Sequence, residues 1–398
     1  MALGRWLRRN RRSLGTKVVT LREVVDTQLP VTMVGSYPRP LWYKHQLHGQ
    51  DIQHAFKLEE HAQAYEDATA ACIRDQEEAG LDIVADGQMY FDDYGGSIGS
   101  FVWYWYERLP GFYHNKMLNP IAMSGQTDAT EFDVLNNWGG TVTNGKIERG
   151  PGRLAELYTI ARRLTDKPLK VSVGAGPVNL GFHVYYDRPD SYYKNQRDLA
   201  YDLVPVFNAE MKELVAAGAD FIQLEDLGAW LPLMTGDDRD FEWIVDVINQ
   251  TIEGVDAKIG WHFCLGTAYG NPTRAFGGMI DKVLQPLYDT HIEQFVLDFA
   301  LRDMQDVEVL AGLPDDKEVA AGVIDVRTLA IESDEEVAER MRSVLEVVSP
   351  ERVYFTTDCG MRVLPRLVAK EKLKSLVRGA QIVRAEVPSR PSRESATV

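Results

Sequence analysis

Lys258-Ile259-Gly260-Trp261-His262-Phe263-Cys264 is the stretch on which the reading of the fold turns. It is an apolar run of strand length that ends on an imidazole and a thiol. Side chains alternate across a strand, so His262 and Cys264 project to one side. A second run, Val353-Tyr354-Phe355-Thr356-Thr357-Asp358-Cys359, also ends on a thiol. If the two strand ends met, one nitrogen and two sulfurs would form the soft donor set that zinc favours, with a position left open for chemistry. The ordinary reading competes with this one. A His-x-Cys pair arises by chance, no CxxC pair is present, and a buried free cysteine packs as a small hydrophobe.

Outward from these runs the chain alternates strands with helices. Val31-Thr32-Met33-Val34 leads into Gly35-Ser36-Tyr37-Pro38-Arg39-Pro40, and a helix is expected over about residues 51–79, terminated by Gly80. Further strands are expected at residues 81–87, 169–173, 221–226, 294–298 and 322–326, with helices over 192–217, 242–252, 334–348 and 365–384. Eight strands in this order predict an α/β fold, a (β/α)₈ TIM barrel. The rhythm breaks over residues 88–150, an aromatic-rich insertion after the second strand that either covers an apolar pocket or packs on the barrel's outside. Within it, Asn144-Gly145 predicts a small hairpin over 141–147. The domain plan is therefore a basic arm (1–30), the barrel (31–385) and a disordered tail (386–398).

Barrel enzymes place their working residues at the C-terminal ends of strands. Here those ends carry Ser36, Asp86, Gln88, Glu225, Asp226, His262, Cys264, Asp298, Asp325, Arg327, Asp358 and Cys359. Helix N-caps account for some of these aspartates without any functional role.

Composition narrows the function. The 398 residues are 45% hydrophobic and 26% charged, which is ordinary for a globular protein. A net charge of −16 argues against nucleic acid as a partner and requires any anionic substrate to find local arginines. Only three cysteines occur, so a disulfide framework is not expected and a reducing cytoplasm is the default compartment. No apolar run is long enough to span a membrane, and the basic run Arg5-Trp6-Leu7-Arg8-Arg9 lacks the apolar core of a secretion signal. A homo-oligomer stays open.

Val34-Gly35-Ser36-Tyr37-Pro38, Asp86-Gly87-Gln88, Gly176-Pro177-Val178, Ile222-Gln223-Leu224-Glu225-Asp226, His262-Phe263-Cys264, Gly322-Val323-Ile324-Asp325-Val326 and Asp358-Cys359-Gly360 together resemble the C-terminal catalytic barrel of cobalamin-independent methionine synthases and their single-domain relatives. The resemblance implies Zn2+ held by His262, Cys264 and Cys359, with a strand-end carboxylate as an exchangeable fourth ligand. Asp298 stands where the family has that Glu. Gln88 replaces the Glu that binds the amino group of homocysteine, and Glu225 replaces an Asp at the next substrate contact. Arg327 replaces the His regarded as proton donor, and a guanidinium keeps its proton near neutrality.

These departures suit epoxyalkane:coenzyme M transferases, which look similar in size, plan and His-x-Cys…Cys signature. Their thiol carries a sulfonate and no amine, which matches a neutral Gln88. Arg327, Arg362 or Arg39 would then supply a cation for the sulfonate. The thiol sulfur would attack the epoxide, and the resulting alkoxide would take a proton from Tyr37, His183 or a tyrosine of the insertion. Ser36 completes the expected substrate contacts, and Trp103, Trp105 and Trp138 would wall off the epoxide. Two other readings remain: methyl transfer from a small-molecule donor to homocysteine, and a barrel that binds zinc or a ligand without catalysis.

Overall fold

The computed structural model describes residues 21–43, 59–90, 104–113, 141–182, 184–226, 231–232, 236–237, 239–264 and 280–388. Seven parallel strands hydrogen-bond to one another in chain order. They are β1 (Val84–Ala85), β2 (Leu169–Ala175), β3 (Phe221–Glu225), β4 (Lys258–Phe263), β5 (Gln294–Asp298), β6 (Glu318–Ile324) and β7 (Val353–Thr357). The extended segment 30–34 lies between the two ends of this sheet. Thr32 N–H donates to Phe355 O at 3.0 Å, while Asp82 and Ile83 N–H donate to Val31 O at 3.1 and 3.2 Å. The eight expected strand positions therefore form a barrel, two of them with little regular strand. Pro30 has no N–H to give to the ladder, and Gly87 and Gln88 leave it early with φ of +75° and +53°.

The described helices are α1 (Glu59–Ala79), α2 (Leu154–Arg162), α3 (Pro177–Gly181), α4 (Gln196–Ala216), α5 (Asp240–Thr251), α6 (Ile280–Leu287), α7 (Asp334–Leu345) and α8 (Arg366–Glu386). Gly80 ends α1 in the left-handed region at φ +94°, as its position implies. α4 starts later than the sequence suggests, because the Asn195 side chain accepts the Asp198 N–H at 2.9 Å and caps the helix there. α2 was not foreseen, although Leu154, Leu157, Tyr158 and Ala161 bury one helical face.

Two expectations need correction. Asn144-Gly145 does not turn a local hairpin, and neither residue has a positive φ. Instead Thr143 pairs antiparallel with Phe112, and Thr141 pairs parallel with Val184. Positions from 21 onward, which the sequence reading places in the arm, are docked on the barrel. Arg22 N–H donates to Glu293 at 3.2 Å, and the Arg22 carbonyl accepts the buried Lys258 ammonium at 2.8 Å. Burying that ammonium would be costly without such partners. Residues 1–20 and 389–398 lie outside the described residues.

Alternation along the strands splits the apolar side chains into two sets. Ile222, Leu224, Ile259, Trp261, Phe263, Phe295 and Leu297 join the large core under the helices. Val34, Ile83, Phe221, Val296, Ala320 and Tyr354 form a separate cluster inside the ring, with Val24 and Val25 packed against it. Below it, Lys258 is ion-paired with Glu318, which also accepts the Gln294 amide at 3.2 Å. His262 belongs to the same inward-facing parity as Lys258, so the barrel's closure carries it to the opposite, C-terminal mouth.

Candidate metal centre and its rim

β4 and β7 bring the three candidate ligands together. One ligand atom each from His262, Cys264 and Cys359 lies within 4.8 Å of the others. The two sulfurs are 3.3 Å apart, too far for a disulfide and suited to sharing one ion. His262 is buried, yet neither ring nitrogen makes a hydrogen bond. Buried polar nitrogens are normally satisfied, so an imidazole within 4.8 Å of two sulfurs fits a metal ligand. Asp298, at the end of β5, places a carboxylate oxygen 3.4 Å from His262 Nε2. That is an ion-pair distance, with the carboxylate beside the donor set rather than remote from it.

Electrostatics support the same reading. Burial pushes the His262 pKa down, but the Asp298 contact and the charges of Cys264 and Glu225 outweigh it and raise the pKa to about 9. The Cys359 thiol is pushed well above its ordinary range, first by its contact with Cys264 and then by burial. Both shifts reflect anionic groups crowded into a buried space, and a divalent cation offsets that crowding.

Next to this donor set lies a polar corner. Glu225 is in register with His262 across the β3–β4 ladder. Its Oε1 accepts the Gln88 amide at 2.6 Å and the Ser172 hydroxyl at 2.5 Å. The bulge between Ser172 and Ala175 lies where β2 leaves its regular register with β3. Below, the buried Lys170 ammonium donates to Gln223 and to Met33 O, both at 2.7 Å, and burial lowers its pKa to about 7. Gln88 is held from behind: its N–H donates to Asp86 at 2.9 Å and its carbonyl accepts Arg39 at 3.2 Å. Burial raises the Asp86 pKa to about 7, opposed by the Gln88 N–H and reinforced by Glu225. Ser36 packs against Gly360, where a side chain would collide with its hydroxyl, and Ser36 O accepts the Met361 N–H at 2.8 Å.

The remaining expected residues lie elsewhere or serve other contacts. Tyr37 is buried with its hydroxyl on Asp75 of α1 at 3.1 Å, so the structure commits that group to the helix layer. The Arg327 guanidinium donates to Leu301 O at 2.8 Å and sits 3.5 Å from Asp325. Arg362 is half-buried in the turn after Cys359. His183, Trp103 and Trp138 lie outside the described residues. Trp105 packs against Phe207 of α4 with the two rings tilted by 37° and donates to Val173 O at 3.2 Å, which makes it core packing. Ser172 was missed by the sequence reading. Its signal was a polar residue between Val171 and Val173 inside a strand.

Residues 29–382 match the family described as the cobalamin-independent synthase catalytic domain. The chain belongs to that family. It is 32% identical over 365 residues to a methionine synthase of Saccharolobus solfataricus, spanning 90% of this chain and 96% of that one. It is 34% identical over 367 residues to a methionine synthase of Sulfolobus acidocaldarius, spanning 91% and 94%. A B12-independent methionine synthase from Shewanella sp. W3-18-1, solved with selenomethionine, superposes with a TM-score of 0.74 at 27% identity, over 90% of this chain and 99% of that one. Membership makes the chain an enzyme of the methionine synthase-type methyltransferase family, and the non-catalytic reading is set aside. Among the described residues no helix is long and apolar enough to cross a membrane.

Proposed function

We propose that the chain is a zinc-dependent transferase that methylates the sulfur of homocysteine. The observation that carries this is the meeting of His262, Cys264 and Cys359 at one barrel mouth, in a family whose similar members are methionine synthases. Zinc bound there would lower the pKa of a thiol so that it is a nucleophile at neutral pH. Homocysteine sulfur would gain the methyl group as the donor's bond to it breaks. Glu225 offers a carboxylate beside His262 for the ammonium, and Gln88 and Ser172 fix its orientation. Asp298 is placed to hold the charge of the His262 side of the centre.

One observation favours a second thiol. Gln88 adds no charge to the corner and spends its amide on Glu225, so an ammonium would meet a single carboxylate whose Oε1 already has two donors. A thiol without an amine, such as coenzyme M opening an epoxyalkane, avoids that mismatch. In that reaction the S–C bond forms as the epoxide C–O bond breaks, and the alkoxide takes up a proton. The test supplies zinc-loaded protein with homocysteine plus a methyl donor, or with coenzyme M plus epoxypropane. Methionine formation supports the first reading. Turnover with coenzyme M alone replaces it by the second.

A further inference from the structure

The turn after Asp298 is held unusually tightly by the residue preceding Cys359. Phe299 and Ala300 N–H donate to Asp358 Oδ1 at 3.1 and 3.0 Å, and Leu301 N–H donates to Oδ2 at 2.7 Å. Asp358 is fully buried, and its own N–H is bound to Ile324 O at 3.0 Å. The three backbone donors open the short 3₁₀ turn Ala300–Arg302, so Asp358 caps that turn from a different strand. Two more contacts brace it: Arg302 donates to Asp298 O at 2.5 Å, and Arg327 donates to Leu301 O at 2.8 Å. Immediately beyond, Asp303 and Met304 adopt φ of +54° and +61°. Two consecutive left-handed residues that are not glycine persist only where their surroundings impose the conformation.

We propose that Asp358 is a positioning residue for the metal centre, fixing the Asp298 strand end against the Cys359 strand end. It rests on the zinc reading above but not on which thiol is methylated or alkylated. The carboxylate is joined through one peptide bond to Cys359 and through three hydrogen bonds to the residues after Asp298. It therefore sets the distance between a sulfur ligand and the carboxylate that faces His262. Gly322 on β6 belongs to the same arrangement, because a Cβ there would overlap Asp358 Oδ1. Outer residues that orient ligands in this way typically contribute 10–100-fold in metal affinity.

The test compares wild-type protein with Asp358→Asn and Gly322→Ala. The first keeps the side chain's shape but exchanges one acceptor for a donor; the second pushes on the carboxylate and on the backbone of Asp358 and Leu297 without changing any charge. Zinc affinity is read by competition with a chromophoric chelator, the geometry by the visible spectrum of the Co2+ form, and stability by melting with and without zinc. Both variants are expected to bind zinc about 10–100-fold more weakly, to show an altered Co2+ spectrum, and to gain less stability from zinc. A merely structural role would lower both melting points equally and leave affinity and spectrum as in wild type, and that result overturns the proposal. A wild-type protein that bound neither ion would overturn the metal reading itself, and this proposal with it.

Discussion

Replacing Asp86 by Asn removes a charge from the polar corner while keeping the acceptor that holds the Gln88 N–H. Burial raises the Asp86 pKa from 3.8 to about 7. The folded state thus keeps a proton that the unfolded chain releases near pH 4, and stability falls as pH rises from there to about 7. At 1.36 kcal/mol per unit, a shift of about three units costs the folded wild type about 4 kcal/mol above pH 7. The Asn amide has its own cost. Asp86 Oδ2 has no hydrogen-bond partner, so an NH₂ placed there is unsatisfied at about 1–3 kcal/mol, independent of pH. Asp86→Asn should therefore be less stable than wild type at low pH and more stable above pH 7. Urea unfolding at pH 5 and pH 8 measures the difference, in which the amide cost cancels. Relative to wild type the variant should gain about 2.5 kcal/mol between those two values. Parallel pH profiles for the two proteins would refute the argument that Asp86 is destabilised by burial of its charge.

Three other outcomes follow from the same geometry. His262→Ala and Cys359→Ser should each reduce bound zinc from about one equivalent to a small fraction, measured by metal analysis after dialysis, because a three-residue donor set has no spare ligand. Full metal content in either variant would remove the site described above. Lys258→Met strands Glu318 at the barrel floor and should destabilise the fold by about 3–5 kcal/mol in urea unfolding, with zinc affinity unchanged. Gly35→Ala would place a Cβ 2.8 Å from the Gln88 amide nitrogen. It should displace that amide from Glu225 and raise KM for the thiol more than it lowers kcat, which steady-state kinetics will show.

The barrel and the His262/Cys264 pair were legible because both depend on short-range periodicity. His262 and Cys264 share a side through covalent geometry alone, and Gly80 ends α1 through its freedom to take a positive φ. Asn144-Gly145 misled because a local turn preference competed with pairing to Phe112 and Val184, and the longer-range ladder prevailed. The arm misled because its basic composition suggests solvent, while positions from Arg22 onward satisfy Lys258 and cover the interior cluster. Tyr37 looked available as a proton donor only until Asp75 was seen to take its hydroxyl.

By itself the sequence determined the repeating strand–helix order, the parity of the inward residues and the pairing of His262 with Cys264 on one side of a strand, since each is written in neighbouring residues; that Cys359 joins them was decided by the fold. The tertiary structure decided which polar groups those ligands live among. Gln88 reaches Glu225 across 137 positions of chain, and Asp358 reaches the turn after Asp298 across more than fifty. Such partnerships depend on which strand ends the closed ring sets side by side. A buried carboxylate or amide bonds with the donors and acceptors brought to it there, and no local pattern specifies them.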